Sequence, residues 1–395
     1  MEKINFKYPK WPQYSSGDIS SVSSILKSAK VNYWFGGICR KFEKYYASYF
    51  KHKFALSVCS GSVALDMAVK SLNLKKNDEI IVSPRSYIAS AGCVINNDLK
   101  PVFADIDLDT QNISISEIKK KFSSKTRALI IVHLAGYPAE MDAIIKFCKI
   151  KKIRVIEDCS QAHGAKYKSK LAGSFGDISV WSFCYDKIIS TGGEGGMILT
   201  SNYSFFKKMF AFRDCGKNFE KINKTKKIGF KWIHDFQGSN YRMTEIQAAL
   251  GIRQLKNLKK NVKIRNIFCK KIIKLNNNYD FLKKIEVPNY IYHSYYRFYL
   301  FVNLEKIRKK ITLEAIIKLL NNNNIVCNVG SCPEIYLEKS FKVLGGHKRR
   351  LKNAKKISNN SIALCINHCF SYHEQEKYLK SLEKIFEYIS DKICI

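Results

Sequence analysis

The sequence predicts an α/β fold in which a mostly parallel sheet forms a large domain and a smaller α+β domain follows it. Short apolar segments alternate with segments of helical periodicity through residues 54–200, and such near-continuous apolar strands are typical of a parallel sheet covered by helices on both faces. At 395 residues, the chain exceeds the size at which a single hydrophobic core keeps growing. We therefore expect two domains, comprising residues 1–261 and 262–395.

Each element is predicted from its local pattern. Apolar runs bounded by turn residues predict strands at 54–58, 79–82, 101–105, 128–132, 154–158, 178–183 and 196–200. The spacing of apolar residues predicts helices at 18–30, 42–49, 63–72, 90–97 and 141–148. From Arg242 the pattern becomes helical through Leu255 and beyond, and the second domain is predicted to contain a strand at 296–302 and helices at 312–320 and 373–389.

The composition restricts the class of protein. With 46% hydrophobic and 13% aromatic residues the chain can bury a large core, so we do not expect whole-chain disorder. A formal net charge of +35 would favour binding to a polyanion such as nucleic acid, but the lysines are dispersed along the chain instead of forming one basic stripe. We interpret the charge as a composition bias and expect no nucleic-acid partner.

The 13 cysteines predict neither a metal site nor a disulfide framework, because none has the C-x-x-C spacing of a zinc site and their number is odd. Free thiols at this density are typical of a reducing compartment. The first residues contain no apolar signal core, and no apolar window is long enough to span a bilayer. We expect a soluble, cytoplasmic protein with no metal and no membrane partner.

Two segments have the pattern of a pyridoxal phosphate site. Lys187 follows an apolar run that predicts a buried strand, and it precedes the glycine-rich segment 192–196. Asp158 ends the predicted strand 154–158, and functional residues of parallel sheets gather at the carboxyl ends of strands. A lysine can form a Schiff base with an aldehyde, and a carboxylate can keep a pyridine nitrogen protonated. The alternative interpretation of Asp158 is a helix cap after its strand.

A third segment has the pattern of an anion site. Residues 59–62 form a small-residue turn between the predicted strand 54–58 and the helix 63–72, where backbone N–H groups and the helix dipole favour an anion. Many α/β turns share this pattern without binding a ligand. The histidines His133, His163 and His234 we interpret as structural.

Taken together, these segments resemble the fold-type I, pyridoxal phosphate-dependent sugar aminotransferases of the DegT/DnrJ/EryC1/StrS family. The resemblance covers nearly the whole chain and rests on the segments 60–62, 101–107, 133–142, 157–164, 182–196 and 240–249. It implies a mostly parallel sheet of the seven-stranded type in the large domain. It also implies pyridoxal 5'-phosphate as the cofactor.

The resemblance implies a role for each matching residue. Lys187 would bond to the cofactor and move the proton between substrate and cofactor, and Asp158 would pair with the pyridine nitrogen. Gln161 would contact the phenolic oxygen of the ring, and Tyr87 would stack on the ring. The phosphate would be held by Ser62, Val63, Ser182 and, from the other subunit of a dimer, Asn240.

The implied reaction is amination of a nucleotide-diphosphate keto-sugar at a 4-keto or 3-keto carbon, with glutamate as the expected donor. The product would serve surface polysaccharide or lipopolysaccharide biosynthesis, and the enzyme would be a homodimer with shared active sites. Family members that act as dehydratases have histidine at the Schiff-base position, so Lys187 favours transamination. Two alternatives stay open: a fold-type I enzyme acting on an amino acid, which would need an arginine for a second carboxylate, and a non-catalytic polyanion-binding protein.

Two positions depart from the family pattern. Arg85 stands where an uncharged residue is usual, and Ala135 replaces a bulkier, often aromatic one. Both are expected to flank the substrate mouth. We expect Arg85 either to contact the sugar nucleotide at the rim of the site or to be a solvated loop charge or the partner of a nearby carboxylate.

Overall fold

The computed structural model describes residues 4–224, 230–308, 311–342 and 349–394. Its strands are β1 (Phe54–Val58), β2 (Glu79–Val82), β3 (Lys100–Phe103), β4 (Thr126–Val132), β5 (Arg154–Asp158), β6 (Lys166–Tyr167), β7 (Lys170–Leu171), β8 (Ile178–Ser182), β9 (Gly196–Thr200), β10 (Ile291–Tyr292), β11 (Phe298–Phe301), β12 (Cys327–Asn328) and β13 (Ser361–Leu364). Its α-helices are α1 (Ser16–Lys27), α2 (Ile38–Phe50), α3 (Gly61–Ser71), α4 (Ala89–Ile95), α5 (Ile115–Lys121), α6 (Met141–Lys151), α7 (Tyr203–Arg213), α8 (Phe219–Lys224), α9 (Glu245–Asn276), α10 (Leu313–Asn322), α11 (Lys339–Lys342), α12 (Lys352–Ser358) and α13 (Tyr372–Lys392).

The predicted α/β class and the mostly parallel sheet are confirmed. Seven strands form one sheet in the order β1-β9-β8-β5-β4-β2-β3. Strands β3, β2, β4, β5 and β8 run parallel, and β9 pairs antiparallel with both β8 and β1. Alternate residues of one strand enter different cores: Ile130 packs on one face of the sheet, whereas Leu129 and Ile131 pack on the other. Both faces are therefore buried, as continuous apolar strands predict.

The topology brings three chain segments to one edge of the sheet. Strands β1, β5 and β8 all point the same way, because β9 is antiparallel to both of its neighbours. Their carboxyl ends place the turn after Val58, the side chain of Asp158 and the side chain of Ser182 along a single edge. In the register of this edge, Gly196 at the start of β9 lies between Val58 and Ser182.

A second core lies beyond the large sheet. Helix α9 spans 32 residues, and its C-terminal part contributes Phe268 and Ile272 to a cluster that also contains residues of the sheet β11-β13-β12 and of α13. Phe6 from the N-terminal arm packs into the same cluster. The division between 261 and 262 falls within the continuous helix α9, so the two-domain assignment stays a prediction.

One buried cluster brings His133, Glu157 and Cys159 together, with ligand atoms within 4.8 Å of one another. His133 Nε2 lies 3.0 Å from Glu157, and its Nδ1 accepts from the backbone N–H of Ala139 at 3.1 Å. Glu157 also accepts three backbone N–H groups from 173–176, so the cluster forms a satisfied structural network. Within the described ranges, we find no helix with both the length and the apolar character that crossing a membrane requires.

Candidate active site

A cavity of about 530 Å³ opens at the carboxyl edge of the large sheet, and residues 296–297, 328 and 330–332 line it from outside that sheet. This volume is typical of small-molecule sites. Six of the eight predicted site residues line the cavity: Ser62, Tyr87, Asp158, Gln161, Ser182 and Lys187. Val63 and Asn240 do not line it. The structure therefore brings together residues separated by up to 125 positions in the chain (187 minus 62).

Lys187 lies in the loop that follows β8. Its side chain is 14% exposed, and Nζ donates to Tyr296 Oη at 3.2 Å. The backbone carbonyl of Lys187 accepts a hydrogen bond from Trp11 Nε1 at 2.8 Å, so the N-terminal arm fixes this loop. Burial by itself lowers the pKa of Lys187, but Tyr296 and Asp186 outweigh it, and the pKa is raised above its ordinary value.

Asp158 is held by two hydrogen bonds at the end of β5. Its Oδ2 accepts from Ser90 Oγ at 2.7 Å, and its Oδ1 accepts from the backbone N–H of Ser160 at 3.1 Å. Ser90 in turn lies 2.8 Å from Ser86 Oγ. The contact to Ser160 is the local bond that a capping role predicts, yet the carboxylate also lines the cavity. Its orientation is therefore fixed before any ligand binds.

Gln161 and Tyr87 approach the cavity from two loops. Gln161 Oε1 accepts from the backbone N–H of Ala135 at 2.7 Å, which leaves the amide NH₂ as the donor at the cavity. Tyr87 is 65% exposed, so its ring is free to contact a ligand. Ala135 is buried and lines a different cavity, of about 640 Å³, so its expected place beside the substrate mouth stays a prediction.

The turn before α3 lies close against strands β8 and β9. A Cβ on Gly61 would come within 2.6 Å of Ser182 Cβ, and one on Gly196 within 2.5 Å of Ser60 O, so both positions require glycine. Ser60 caps α3 and accepts the backbone N–H of Val63 at 3.3 Å. Because this N–H already has a partner, the phosphate contacts available here are the hydroxyls of Ser62 and Ser182 and the N-terminus of α3.

Asn240 is exposed on the surface of its own chain. It pairs with Asp214 in an isolated bridge, and Asp214 is held by Arg213 at 2.7 Å and Arg242 at 3.0 Å. Trp34 Nε1 donates to the same carboxylate at 3.1 Å. The segment is thus anchored through Asp214, and Asn240 itself is exposed and does not line the cavity.

Comparison with known proteins decides the family. The model of the DegT/DnrJ/EryC1/StrS aminotransferase family matches residues 12–383. The chain belongs to this family. It is an aminotransferase, and its cofactor is pyridoxal 5'-phosphate.

Several relatives of this aminotransferase are similar over most of their length. GDP-perosamine synthase of Escherichia coli O157:H7 is 33% identical over 325 residues, which covers 81% of this chain and 83% of the relative. The X-ray structure of the aminotransferase from Psychrobacter cryohalolentis has a TM-score of 0.94 at 35% identity and covers 97% of this chain and 100% of that chain. The E. coli GDP-4-keto-6-deoxy-D-mannose-3-dehydratase with bound hydrated PLP has a TM-score of 0.83 at 25% identity and covers 96% and 100%.

The cavity of this aminotransferase fits pyridoxal phosphate. Three of its lining residues carry groups that suit the ring of the cofactor. Lys187 supplies an amine for the aldehyde, Asp158 supplies a fixed carboxylate for the pyridine nitrogen, and Tyr87 supplies an exposed aromatic ring. Serine hydroxyls and a helix N-terminus suit the phosphate dianion at the other end. When bound, the cofactor supplies an electron-withdrawing ring that stabilises negative charge on a substrate carbon.

Sequence reasoning missed the residues that reach the cavity from outside the large sheet. Tyr296 and Arg297 lie just before β11, within the segment predicted as the strand 296–302, and both line the cavity. Asp186 and Glu194 line it as well. The position of Asp186 next to Lys187 was a usable signal, whereas nothing in the local pattern places Tyr296 near a lysine 109 positions away.

The expectation that Arg85 lies at the rim of the cavity is wrong. Its side chain is completely buried, with Nε donating to Gln111 Oε1 at 2.9 Å and Nη2 donating to Ser361 Oγ at 3.0 Å. The guanidinium carbon lies 5.2 Å from the ring centroid of Tyr299, and burial lowers its pKa. Arg85 therefore ties the segment after β2 to β11 and β13, and it is not solvated and, among the described residues, contacts no carboxylate.

We expect Arg85→Ala to lower the free energy of unfolding by roughly 2–4 kcal/mol, because the change leaves a cavity and unpairs Gln111 and Ser361. Urea denaturation followed by circular dichroism measures this loss. Arg127→Ala, at an arginine that is 45% exposed, is the control and should cost under about 1 kcal/mol. Unchanged stability together with a selectively raised KM for one substrate would contradict the buried role.

Proposed function

We propose that this aminotransferase transfers an amino group from glutamate to the 4-keto or 3-keto carbon of a nucleotide-diphosphate sugar. The product would enter surface polysaccharide or lipopolysaccharide biosynthesis in the cytoplasm. The observation that carries the proposal is the meeting of the Lys187 amine and the Asp158 carboxylate in one cavity. The sugar-nucleotide names of the relatives support the substrate class.

In this proposal each residue has a defined task. Lys187 would be the residue that holds the cofactor, and its free Nζ would accept and return the proton that moves at the substrate carbon. Asp158 would keep a positive charge on the ring nitrogen, Tyr87 would contact the ring, and Gln161 would donate to its phenolic oxygen. The hydroxyls of Ser62 and Ser182, with the first turn of α3 that contains Val63, would hold the phosphate end.

The charges of the cavity support an active site shared between two subunits. Among the described residues that line it, the basic side chains are Lys187 and Arg297, and Arg297 is bound to Asp186 at 3.0 Å. A diphosphate and the carboxylates of glutamate need further cations, which a second subunit can supply. The exposed aromatic side chains of Phe230 and Trp232, 79% and 84% accessible, suit burial at the interface of a homodimer.

Mixing Lys187→Ala protein with Asn240→Ala protein should restore part of the activity that each variant lacks. In a mixed dimer, one site combines the intact Lys187 of one subunit with the intact Asn240 of the other. The measurement is turnover after verified subunit exchange.

The matched control is a mixture of Lys187→Ala with Asp158→Asn, in which both residues belong to the same subunit's cavity and no intact site can form. If exchange occurs and the first mixture stays as inactive as its components, Asn240 does not contribute to a shared site.

The substrate class is tested by loading the enzyme with the aminated cofactor and offering it keto-sugar nucleotides and 2-oxo acids separately. We expect 2-oxoglutarate and one 4-keto or 3-keto sugar nucleotide to return the aldehyde-form absorbance. Response to 2-oxo acids alone would favour the enzyme acting on amino acids. Absence of cofactor absorbance together with salt-sensitive nucleic-acid binding would favour the polyanion-binding alternative.

A further inference from the structure

The amino group of Lys187 has a fixed set of neighbours that the cofactor-binding roles do not use. Nζ lies 3.2 Å from Tyr296 Oη, 3.6 Å from Asp186 Oδ1 and 4.5 Å from the centroid of the Tyr296 ring. Asp186 Oδ2 accepts hydrogen bonds from the Tyr296 hydroxyl and from Arg297 Nη2, the latter at 3.0 Å. Four side chains from two distant parts of the chain therefore form one connected network.

The direction of these hydrogen bonds follows from the chemistry of the groups. A carboxylate can only accept, so the Tyr296 hydroxyl donates its proton to Asp186. The Tyr296 oxygen then has only lone pairs left, and Lys187 must be the donor. An ammonium ion provides three N–H donors and is attracted both by the carboxylate and by the aromatic face beneath it. The geometry is thus complementary to the charged form of the amine.

The surrounding ionisable groups keep this arrangement intact. Burial raises the pKa of Asp186, but Lys187, Tyr296 and Arg297 outweigh it, so the pKa is lowered and Asp186 stays ionised. Burial lowers the pKa of His163 to about 3, with Lys187 contributing, so this ring stays neutral. Cys184 on the same loop also acts on the amine, whereas the carboxylates Asp158 and Glu194 line the same cavity without contacting it.

We propose that Asp186 and Tyr296 are positioning residues that hold the free ε-amino group of Lys187 in its ammonium form beside the cavity. The proposal rests on the proposed role of Lys187 as the residue that bonds to the cofactor. The proton that Nζ gains is the one it accepts from the substrate carbon, and the resulting ammonium docks on the pair until Nζ gives that proton up. An amine adds to an aldehyde only when it is neutral, so the pair also delays recapture until that proton is given up.

The pair sets how much of the amine is neutral at a given pH. Asp186→Asn removes the negative charge but keeps an oxygen that can accept from Tyr296. It should lower the pH at which Lys187 becomes neutral by at least about one unit, which means about tenfold more neutral amine at pH 7.5. Tyr296→Phe keeps both the ring and the carboxylate and should give a smaller shift in the same direction.

The test is competitive trace acetylation with acetic anhydride on the full-length chain freed of cofactor, from pH 6 to pH 11. Mass spectrometry of the Lys187 peptide gives the pH midpoint, because acetylation follows the neutral amine. The control is Glu194→Gln, a carboxylate of the same cavity that contacts Cys184 Sγ at 3.8 Å. Glu194→Gln should leave the Lys187 midpoint within about 0.3 pH units of that of the unchanged chain. Asp186→Glu, which keeps the negative charge, should also keep the midpoint near that value.

An unchanged midpoint in both Asp186→Asn and Tyr296→Phe would overturn the proposal, as would an equal shift in Glu194→Gln. Acetylation requires neither turnover nor cofactor, so its outcome is separate from that of the proposed function. If the cofactor bonds to another lysine while the midpoint still falls in Asp186→Asn, the role of Lys187 in the proposed function is contradicted, but the effect of Asp186 and Tyr296 on its amine is supported. If the cofactor bonds to Lys187 and the midpoint does not move, the effect of Asp186 and Tyr296 on the amine is contradicted, but the proposed function is supported.

Discussion

Replacing Lys187 by Ala should reduce transamination by at least about four orders of magnitude, or roughly 5 kcal/mol of transition-state stabilisation. One amine serves both as the covalent attachment point and as the carrier of the transferred proton, so its loss removes two functions at once. Among the described residues that line the cavity, Lys187 is the lysine available for either task. Single-turnover kinetics of each half-reaction measure the loss.

The fold should tolerate this change. In Lys187→Ala the carboxylate of Asp186 keeps Arg297 and Tyr296 as partners, so no buried charge is left alone. The control is Lys166→Ala, an exposed lysine on β6 that should leave turnover unchanged. Substantial turnover by folded Lys187→Ala protein would show that another group performs the proton transfer.

Replacing Asp158 by Asn should lower turnover by on the order of a thousandfold, which corresponds to about 4 kcal/mol. The substitution removes the negative charge that favours a protonated ring nitrogen, so the cofactor withdraws electrons less effectively. Asparagine can keep both local hydrogen bonds, since its oxygen can accept from Ser160 N–H and its amide can donate to Ser90 Oγ. The loss should therefore appear in kcat with little change in stability.

Ser90→Ala provides the matched comparison for Asp158→Asn. It removes the hydrogen bond of 2.7 Å to Oδ2 but leaves the charge in place. We expect a loss of roughly tenfold and at most about a hundredfold, because a single hydrogen bond to a charged group contributes about 1.5–3 kcal/mol and about 1.4 kcal/mol corresponds to a factor of ten. Equal losses in both variants would mean that the orientation of the carboxylate matters and its charge does not.

Much of the large domain could be predicted because its strands are apolar on both faces and its turns have characteristic residues. The predicted strand 154–158 matches β5 in full, and Asp158 was correctly expected at its carboxyl end. Helix α7 was not predicted, since its sequence contains many aromatic residues that have only modest helix propensity. The sequence pattern predicts an element correctly where the spacing of apolar residues matches the side of the element that is buried. It fails where tertiary packing stabilises an element against the intrinsic propensity of its residues.

The site was predictable only in part, because contacts between distant segments decide which side chains reach the cavity. Tyr87 and Arg85 are two positions apart, yet Tyr87 is exposed at the cavity and Arg85 is buried against Tyr299. The packing of β11 and β13 over this segment makes the difference between the two environments. Tyr296 reaches Lys187 for the same reason, through packing between elements far apart in the sequence. The contribution of Asn240 to a second subunit stays a prediction.

The central claim is that Lys187 is the residue that bonds to pyridoxal phosphate. Reduction of the purified, yellow enzyme with borohydride should fix the cofactor covalently, and peptide mapping by mass spectrometry should locate the adduct. We predict one modified peptide, with the added mass on Lys187. An adduct on any other lysine, or no adduct in protein that contains the cofactor, would contradict the account.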